Sequence, residues 1–292
     1  MNLYSAREMT LLLEKHDFFF KKNLGQNFLV SEAIADRIAA ASRESVRGPG
    51  PALAVEIGPG AGALTRKLAG LFDRVVAIEI DPRLLPVLEE SLEDLDNVEI
   101  VLKDALKFDF SALGESCPGF RFAVCSNLPY YITSEILMRL LESGLPLQSI
   151  TVLIQKEASA RLTALPGTPE FGSITAAIRY YAASQRLFTV SPGNFIPKPK
   201  VDSAVLRLLP NPEKPVSPLD ESLFFQVIRA SFSERRKTLS NSLSSYFSGR
   251  FSKDVILKAL EEAGIDPARR GETLDLPEFC LISDILSKTE EK

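Results

Sequence analysis

Histidine, cysteine and tryptophan are scarce or missing in this sequence of 292 residues. The single histidine, His16, argues against a Ser-His-Asp triad and against a His-rich metal site. The three cysteines, Cys117, Cys125 and Cys280, form no CxxC pair, so the sequence predicts neither a zinc module nor a secreted disulfide framework. We therefore expect chemistry that needs no catalytic histidine, and we predict no metal site.

The N-terminus lacks a long apolar segment, and the chain lacks an excess of basic charge. Three leucines at 11–13 precede Glu14 and Lys15, a run too short for a signal-peptide core or a membrane span. The chain contains 34 Lys and Arg residues and 38 Asp and Glu residues, so its net charge is −4. This balance excludes a uniformly basic nucleic-acid-binding protein but allows a local basic face. We expect a soluble, cytoplasmic protein with no membrane segment.

Hydrophobic residues make up 45% of the chain, enough for a sizeable core. Ser5, followed three residues later by Glu8, is a capping-box pattern and predicts a helix over Ala6–Lys15. From Ala52 onward, Val- and Ile-rich runs alternate with amphipathic segments. That alternation is typical of a parallel sheet with helices on both faces, so the sequence predicts a Rossmann-like α/β domain.

A proline-rich stretch, PNPEKPVSPLD at 210–220, predicts a linker after this α/β domain. Three amphipathic segments follow it, at 221–243, 251–264 and 276–288, and predict three helices that form a small, all-α C-terminal domain. The expected domains are therefore residues 1–210, with 1–20 as an N-terminal extension, and residues 217–292.

The clearest local motif is VEIGPGAGALT at 55–65, between a predicted strand and a predicted helix. Its glycines allow a tight turn and a close approach of the backbone to a ligand. The next predicted strand ends in Glu79, 21 residues after Gly58, where a carboxylate can accept hydrogen bonds from both ribose hydroxyls. The third predicted strand leads to Asp104, which is placed to accept from an adenine amino group. An adenosine-containing cofactor is therefore expected.

Three interpretations of this glycine loop compete. A tight strand–helix turn needs no ligand. An NAD site would favour G-x-G-x-x-G, but position 63 is Ala and the third glycine comes one place early. The spacing that occurs, preceded by Glu56, resembles the first motif of S-adenosylmethionine (SAM) methyltransferases. Glu79 and Asp104 at successive strand ends favour SAM over the other two.

The fourth predicted strand ends in Ser126-Asn127-Leu128-Pro129-Tyr130-Tyr131, which suits methylation of an exocyclic amine. The lone pair of adenine N6 is delocalised into the ring, so acceptors on its N–H groups are needed to expose it. The Asn127 side-chain oxygen and the Leu128 carbonyl could be those acceptors, and Pro129 restricts Leu128 to an extended conformation. Tyr130 offers a ring face for base stacking. The alternative is an ordinary strand-end turn with a buried tyrosine.

Taken together, these motifs resemble the ribosomal RNA adenine N6-dimethyltransferase family of the KsgA type. The resemblance runs in family order from about residue 21 to the C-terminus. It rests on K-K-N-L-G-Q-N-F-L (21–29), the E-I-G-P-G-A-G loop, E-I-D, N-L-P-Y-Y-I-T-S (127–134), I-Q-K-E (154–157), F-G (171–172) and P-G-N-F-I-P-K-P-K-V-D-S (192–203).

The resemblance implies a role for each matching residue. Asn27 and Leu29 would contact SAM from the N-terminal side, and Gly58 would lie against its methionine part. Glu79 would bind the ribose, Asp104 the adenine, and Asn127 would lie beside the methyl group. The residues implied to hold the target adenine are Asn127, Leu128, Pro129 and Tyr130, with Phe195 stacking on its other face. Core packing is the alternative for Phe195.

The resemblance also implies the reaction and the partner. The methyl group would move by in-line displacement onto two adjacent adenosines in a hairpin loop near the 3′ end of small-subunit (16S) rRNA. Each would become dimethyladenosine during biogenesis of the small ribosomal subunit. A single RNA-docking face suggests a monomer.

Local basic residues are the remaining evidence for RNA binding. Residues 229–250 contain five cations, Arg229, Arg235, Arg236, Lys237 and Arg250, against Glu234. Lys198 and Lys200 lie close to Phe195 in the sequence, and Lys21 and Lys22 lie at the N-terminal flank. Such a face can supply sequence-independent contacts to phosphate. The alternative for each residue is an ordinary solvated helix face.

Three other functions compete with this prediction. The erythromycin-resistance branch of the same superfamily, which methylates large-subunit rRNA, shares the N-L-P-Y core; the acidic balance and the 192–203 segment favour the small-subunit branch. A non-catalytic assembly or transcription factor on a methyltransferase scaffold is a second alternative. An NAD dehydrogenase is a third.

Overall fold

The computed structural model of the protein describes residues 2–20 and 25–290, and its chain divides into two compact units. The first unit comprises the chain up to Ser159 together with Ser184–Pro210. The second comprises Ala160–Ala183 and the chain from Asn211 onward.

A seven-stranded sheet forms the centre of the first unit. The strands are β1 Phe28–Leu29, β2 Ala52–Ile57, β3 Arg74–Glu79, β4 Val98–Leu102, β5 Arg121–Asn127, β6 Leu147–Gln155, β7 Ala182–Val190, β8 Phe195–Ile196 and β9 Ser203–Pro210. The order in the sheet is β4-β3-β2-β5-β6-β9-β7. The neighbouring pairs β4/β3, β3/β2, β2/β5 and β5/β6 are parallel, as the sequence predicts, whereas β9 runs antiparallel to β6. A separate antiparallel pair joins β1 to β8.

The sheet is covered on both faces. All six residues of β2 are buried, and successive side chains of a strand point to opposite faces. On one face, Ala52 and Ala54 pack with Ile38 and Leu68. The helices up to residue 162 are α1 Ala6–Lys15, which precedes β1, and α2 Glu32–Glu44, α3 Ala63–Ala69, α4 Leu85–Ser91, α5 Phe110–Ser116, α6 Thr133–Glu142 and α7 Lys156–Leu162. The predicted capping of α1 is confirmed, because Ser5 Oγ accepts from the Glu8 amide at 3.4 Å.

The second unit is helical, with a core that includes Phe171, Tyr180, Phe224 and Phe279. Its helices are α8 Ser173–Tyr181, α9 Glu221–Ser233, α10 Leu239–Tyr246, α11 Lys253–Glu262 and α12 Leu276–Glu290. The domain boundary predicted from the sequence places residues 160–183 in the first domain. They cluster instead with the C-terminal helices, because Phe171 and Tyr180 contribute to this core and the Tyr180 hydroxyl donates to Glu221 Oε2 at 3.0 Å.

The basic stretch 234–237 is not helical, contrary to the single helix predicted across it. Helix α9 ends at Ser233, and the Lys237 amide donates to the Glu234 carbonyl at 2.9 Å in a turn that precedes α10, which begins at Leu239. The chain after the predicted linker therefore forms four helices within the described residues, where the sequence predicts three. Strand β7 and helix α5 were not predicted. In the part of the chain that the structure describes, no helix is both long and apolar enough to cross a membrane.

Candidate functional site

A cavity of about 290 Å³ opens at the carboxyl ends of β2, β3, β4 and β5. Strand β2 lies between β3 and β5, so the chain leaves it in opposite directions along the sheet, and ligands of open α/β sheets bind at such a switch point. Eight of the predicted site residues line the cavity: Asn27, Gly58, Glu79, Asp104, Asn127, Leu128, Pro129 and Tyr130.

The floor of the cavity is the turn between β2 and α3. Gly60 has φ +60° and Gly62 has φ +88°, in the left-handed region that glycine tolerates best. A Cβ on Gly60 would lie 3.0 Å from the Phe28 ring, and one on Gly62 would lie 2.9 Å from Leu92. Both positions therefore require glycine for conformation and for space, and the backbone can approach a ligand closely.

Glu79 lies at the end of β3 and is almost completely buried. Its Oε1 accepts from the amides of Ile80 and Asp81, both at 2.9 Å. Burial raises the pKa of Glu79 to about 7, although these backbone amides partly offset the effect. A buried carboxylate with little solvent is suited to accept hydrogen bonds from ligand hydroxyls, and binding them would stabilise its ionised form.

Asp104 follows β4 on the same edge of the sheet. Its Oδ1 accepts from the Leu106 amide at 2.9 Å and so caps a short 3-10 turn, Ala105–Lys107. The cap fixes the carboxylate beside the cavity. The apolar side chains of Ile80 and Leu106 also line the cavity. Acids at successive strand ends with apolar neighbours form a pocket that suits an adenosine.

The segment 25–28 closes the cavity from the N-terminal side. The Asn127 side-chain amide donates to the Asn27 backbone carbonyl at 2.8 Å, and the Asn27 side-chain amide donates to the Gly25 carbonyl at 2.9 Å. Gln26 Nε2 also donates to Asp81 Oδ2 at 3.2 Å. Side-chain hydrogen bonds thus hold this segment against the ends of β5 and β3.

The acceptor motif is anchored to neighbouring strands. Ser126 Oγ accepts from the Ile57 amide at 2.8 Å, and the Leu128 amide donates to the Leu153 carbonyl at 3.1 Å. The Tyr130 hydroxyl shares a hydrogen bond of 2.7 Å with Ser203 Oγ. Asn127, Leu128 and Tyr130 therefore have fixed positions along one wall of the cavity.

Leu29 and Phe195 differ in position from the other predicted residues. They pair with each other across β1 and β8, and each is only 4% exposed. Both belong to the apolar cluster under the sheet, and neither lines the 290 Å³ cavity. The packing alternative describes Phe195 in this conformation, because its ring face is covered; stacking on a base would require the ring to move.

A buried carboxyl group lies behind the glycine loop. Glu56 is 1% exposed, and its Oε2 has no hydrogen-bond partner among the described residues. Burial raises the pKa of Glu56 to about 8. Glu56 lines a small void of about 20 Å³ together with Gly58 and Asn127. In the sequence, Glu56 is recognisable only as the acidic residue that precedes the glycine loop.

The structure adds residues that sequence reasoning missed. Gln26, Phe28, Ile80, Lys103 and Tyr131 also line the cavity. Tyr131 is 59% exposed although its aromatic ring is large and contributes to the wall. Phe28 and Tyr131 could have been predicted, because they lie inside the motifs at 21–29 and 127–134. Ile80 and Lys103 belong to no recognisable motif, and they reach the cavity only because of the way the strands are aligned in the sheet.

The predicted RNA-binding cations that lie within the described residues are all exposed. Lys198 and Lys200 lie after β8, and Arg229 lies on α9. Arg235 is 3.6 Å from the Glu272 carboxylate and Lys237 is 2.5 Å from the Glu234 carboxylate, so acids already neutralise these two. Lys21 and Lys22 lie outside the described residues.

The strand order, the glycine turn and the strand-end acids define the class: a Rossmann-like domain that binds an adenosine-containing ligand at its switch point. Solved structures that share this fold include the following two enzymes. A dimethyladenosine transferase from Plasmodium falciparum superposes with a TM-score of 0.72 at 24% identity, covering 87% of this chain and 95% of that one. The 23S rRNA methyltransferase ErmE superposes with a TM-score of 0.66 at 26% identity, and the match covers 89% of this chain and 100% of that one.

Sequence comparison identifies the family. The family model described as ribosomal RNA adenine dimethylase matches residues 17–287. A curated relative from Bacillus mycoides, ribosomal RNA small subunit methyltransferase A, is 49% identical over 282 residues, which are 94% of each chain. The chain belongs to the ribosomal RNA adenine dimethylase family.

Proposed function

We propose that this chain is a SAM-dependent rRNA adenine-N6,N6-dimethyltransferase. Its substrates are two adjacent adenosines in the hairpin loop near the 3′ end of small-subunit (16S) rRNA, modified during subunit biogenesis in the cytoplasm by a monomer. The observation that carries the proposal is that Asn127 and Tyr130 share one cavity with Glu79 and Asp104. The name of the 49% identical relative supports the small subunit as substrate.

The hydrogen-bond acceptors and the apolar side chains that line the cavity fit SAM. Glu79 would accept from the ribose hydroxyls and Asp104 from the adenine amino group, with Ile80 and Leu106 against the adenine ring. Asn27 and Gly58 would lie along the methionine part. Bound SAM supplies a methyl group on a sulfonium that is already activated for displacement.

The acceptor wall would prepare the target base. The Asn127 side-chain oxygen and the Leu128 carbonyl would accept from the two N6 hydrogens and turn the nitrogen lone pair toward the methyl group. Tyr130 would stack on the base, which must leave its own stack to enter the cavity. The chain would thus act by orientation and proximity, and the proton of the product ammonium can pass to solvent.

Methyl transfer to purified subunits tests the proposal. Labelled SAM is incubated with small subunits that lack the modification and, in parallel, with large subunits. Asn127→Ala is the test variant, and Asn241→Ala, at an exposed position on α10, is the matched control. We expect label in dimethyladenosine of small-subunit RNA, lost with Asn127→Ala and retained with Asn241→Ala.

Two other outcomes would contradict the proposal. Label in large-subunit RNA alone would assign the chain to the resistance type of methyltransferase. Bound SAM with no label in either subunit would favour a non-catalytic assembly factor.

A further inference from the structure

Two motifs that carry no role in the proposed reaction meet at the acceptor wall: I-Q-K-E at 154–157 and V-D-S at 201–203. We propose that Ser203 is a positioning residue that fixes the Tyr130 ring through its hydroxyl, and that the Lys156–Asp202 pair holds Ser203 in place. The inference rests on the proposed function, in which the Tyr130 ring stacks on the target adenine.

The central contact is a short hydrogen bond between two side chains far apart in sequence. The Tyr130 hydroxyl and Ser203 Oγ are 2.7 Å apart. Ser203 is fully buried, whereas Tyr130 is half-buried and lines the cavity. Partial burial raises the pKa of the Tyr130 hydroxyl, so it keeps its proton at physiological pH. The ring is thus tied at its far end to a rigid point in the sheet.

Strand pairing makes that point rigid. Ser203 begins β9 and is in register with Gln155 at the end of β6. Just beyond this pair, the Lys156 amide donates to the Asp202 carbonyl at 3.0 Å, and Lys156 Nζ lies 3.2 Å from Asp202 Oδ2. The backbone contact extends the ladder by one step, so Ser203 is not at a frayed end.

The other end of the acceptor motif is held by the same strand. Asn127 is in register with Leu153 of β6, and the Leu128 amide donates to the Leu153 carbonyl at 3.1 Å. Strand β6 therefore sets the position of Asn127 directly and that of Tyr130 through Ser203. This arrangement fixes the distance between the residue that holds N6 and the ring that stacks on the base. Small misplacements of such groups cost rate rather than affinity.

Three variants of the full-length protein test the inference: Ser203→Ala, Tyr130→Phe and their combination. Thr151→Val is the matched control. Like Ser203, Thr151 is buried in the sheet, but it lies on β6 and its hydroxyl has no hydrogen-bond partner among the described residues. Methyl transfer to small subunits is measured for kcat and KM, and SAM affinity is measured separately by calorimetry.

We expect each single variant to lower kcat by roughly tenfold, the effect of one lost hydrogen bond, with SAM affinity unchanged. The double variant should be no slower than either single one, because both remove the same contact. Wild-type kcat in Tyr130→Phe, or additive losses in the double variant, would overturn the inference. Absence of methyl transfer by the wild-type protein would instead overturn the proposed function, so the two failures are distinguishable.

Discussion

The Asn127 side-chain amide donates to the backbone carbonyl of Asn27 at 2.8 Å, 100 residues away in sequence. This bond joins the acceptor motif to the segment that closes the cavity, and it leaves the Asn127 oxygen to accept from a substrate. One residue thus serves the cofactor side and the acceptor side of the site.

Asn127→Asp should therefore impair both SAM binding and methyl transfer. A carboxylate offers no N–H to the partly buried Asn27 carbonyl and repels it, and loss of the donor to such a group costs about 1–2 kcal/mol. We expect the Kd for SAM, measured by calorimetry, to rise by roughly tenfold and kcat to fall further. A variant with wild-type SAM affinity would show that the Asn27 contact contributes nothing to closure.

Gly60→Ala tests how the floor of the cavity supports the same segment. The new Cβ would lie 3.0 Å from the Phe28 ring at φ +60°, so Phe28 must shift and the backbone is strained by about 1–2 kcal/mol. We expect a loss of SAM affinity of about tenfold at this strain. Gly249→Ala is the control, because a Cβ there would meet open space. Equal SAM affinity in the two variants would contradict the steric argument.

The sequence predicted most of this site because its signals are local. Glycines, strand-end acids and the N-L-P-Y string each report a requirement of a few adjacent residues, and Gly58, Glu79, Asp104 and Asn127 all line the cavity. Register and long-range packing are not local. The burial of Phe195 depends on its pairing with Leu29, and the tether of Tyr130 depends on Ser203, 73 residues away. Neither follows from periodicity.

Long-range packing also explains why the extent and the helices of the second unit were not predicted correctly. Phe171 and Tyr180 look like core residues of any domain, and only the fold shows that their partners include Phe224 and Phe279. The break between α9 and α10 was missed because the apolar pattern continues on both sides of the turn at 234–237.

Binding of SAM should depend on pH through Glu79. Its pKa is about 7 in the free protein, and ribose hydroxyls would favour the ionised form, so binding should release a proton below that pH. We expect the Kd to fall by up to about tenfold per pH unit as the pH rises toward 7, and then to level off. Calorimetry at several pH values below and above 7 measures the Kd for SAM, with Glu79→Gln as the comparison. If the Kd of Glu79→Gln depends on pH in the same way, another group causes the pH dependence.

Glu56 should make the free energy of unfolding depend on pH. Its folded pKa is about 8 against an ordinary value of 4.5, so the native state holds this proton while the unfolded chain has lost it. Through this group, the free energy of unfolding falls as the pH rises from 4.5 to 8. Glu56→Gln removes that fall. Thermal unfolding should show a similar Tm for both proteins at about pH 5 and a variant several degrees more stable at about pH 9; an equal Tm at the higher pH would contradict it.

The basic residues of the second unit should differ in their value for RNA binding. Arg229 and Arg236 are exposed and, within the described residues, make no ion pair, whereas Arg235 and Lys237 face acids. A cation without an acidic partner can neutralise a phosphate without first giving up an ion pair. Charge reversal of Arg229 and Arg236 to Glu should therefore weaken binding to small subunits by roughly tenfold at moderate salt.

The matched control reverses Lys253 and Lys258 on α11, which changes the net charge equally at two other exposed positions. The slope of log affinity against log salt should fall by about two in the Arg229 and Arg236 variant, one for each lost phosphate contact, and stay unchanged in the control. SAM affinity should be the same in both, because the cavity lies in the first unit. Equal slopes for the two variants would mean that bulk charge rather than this pair determines RNA affinity.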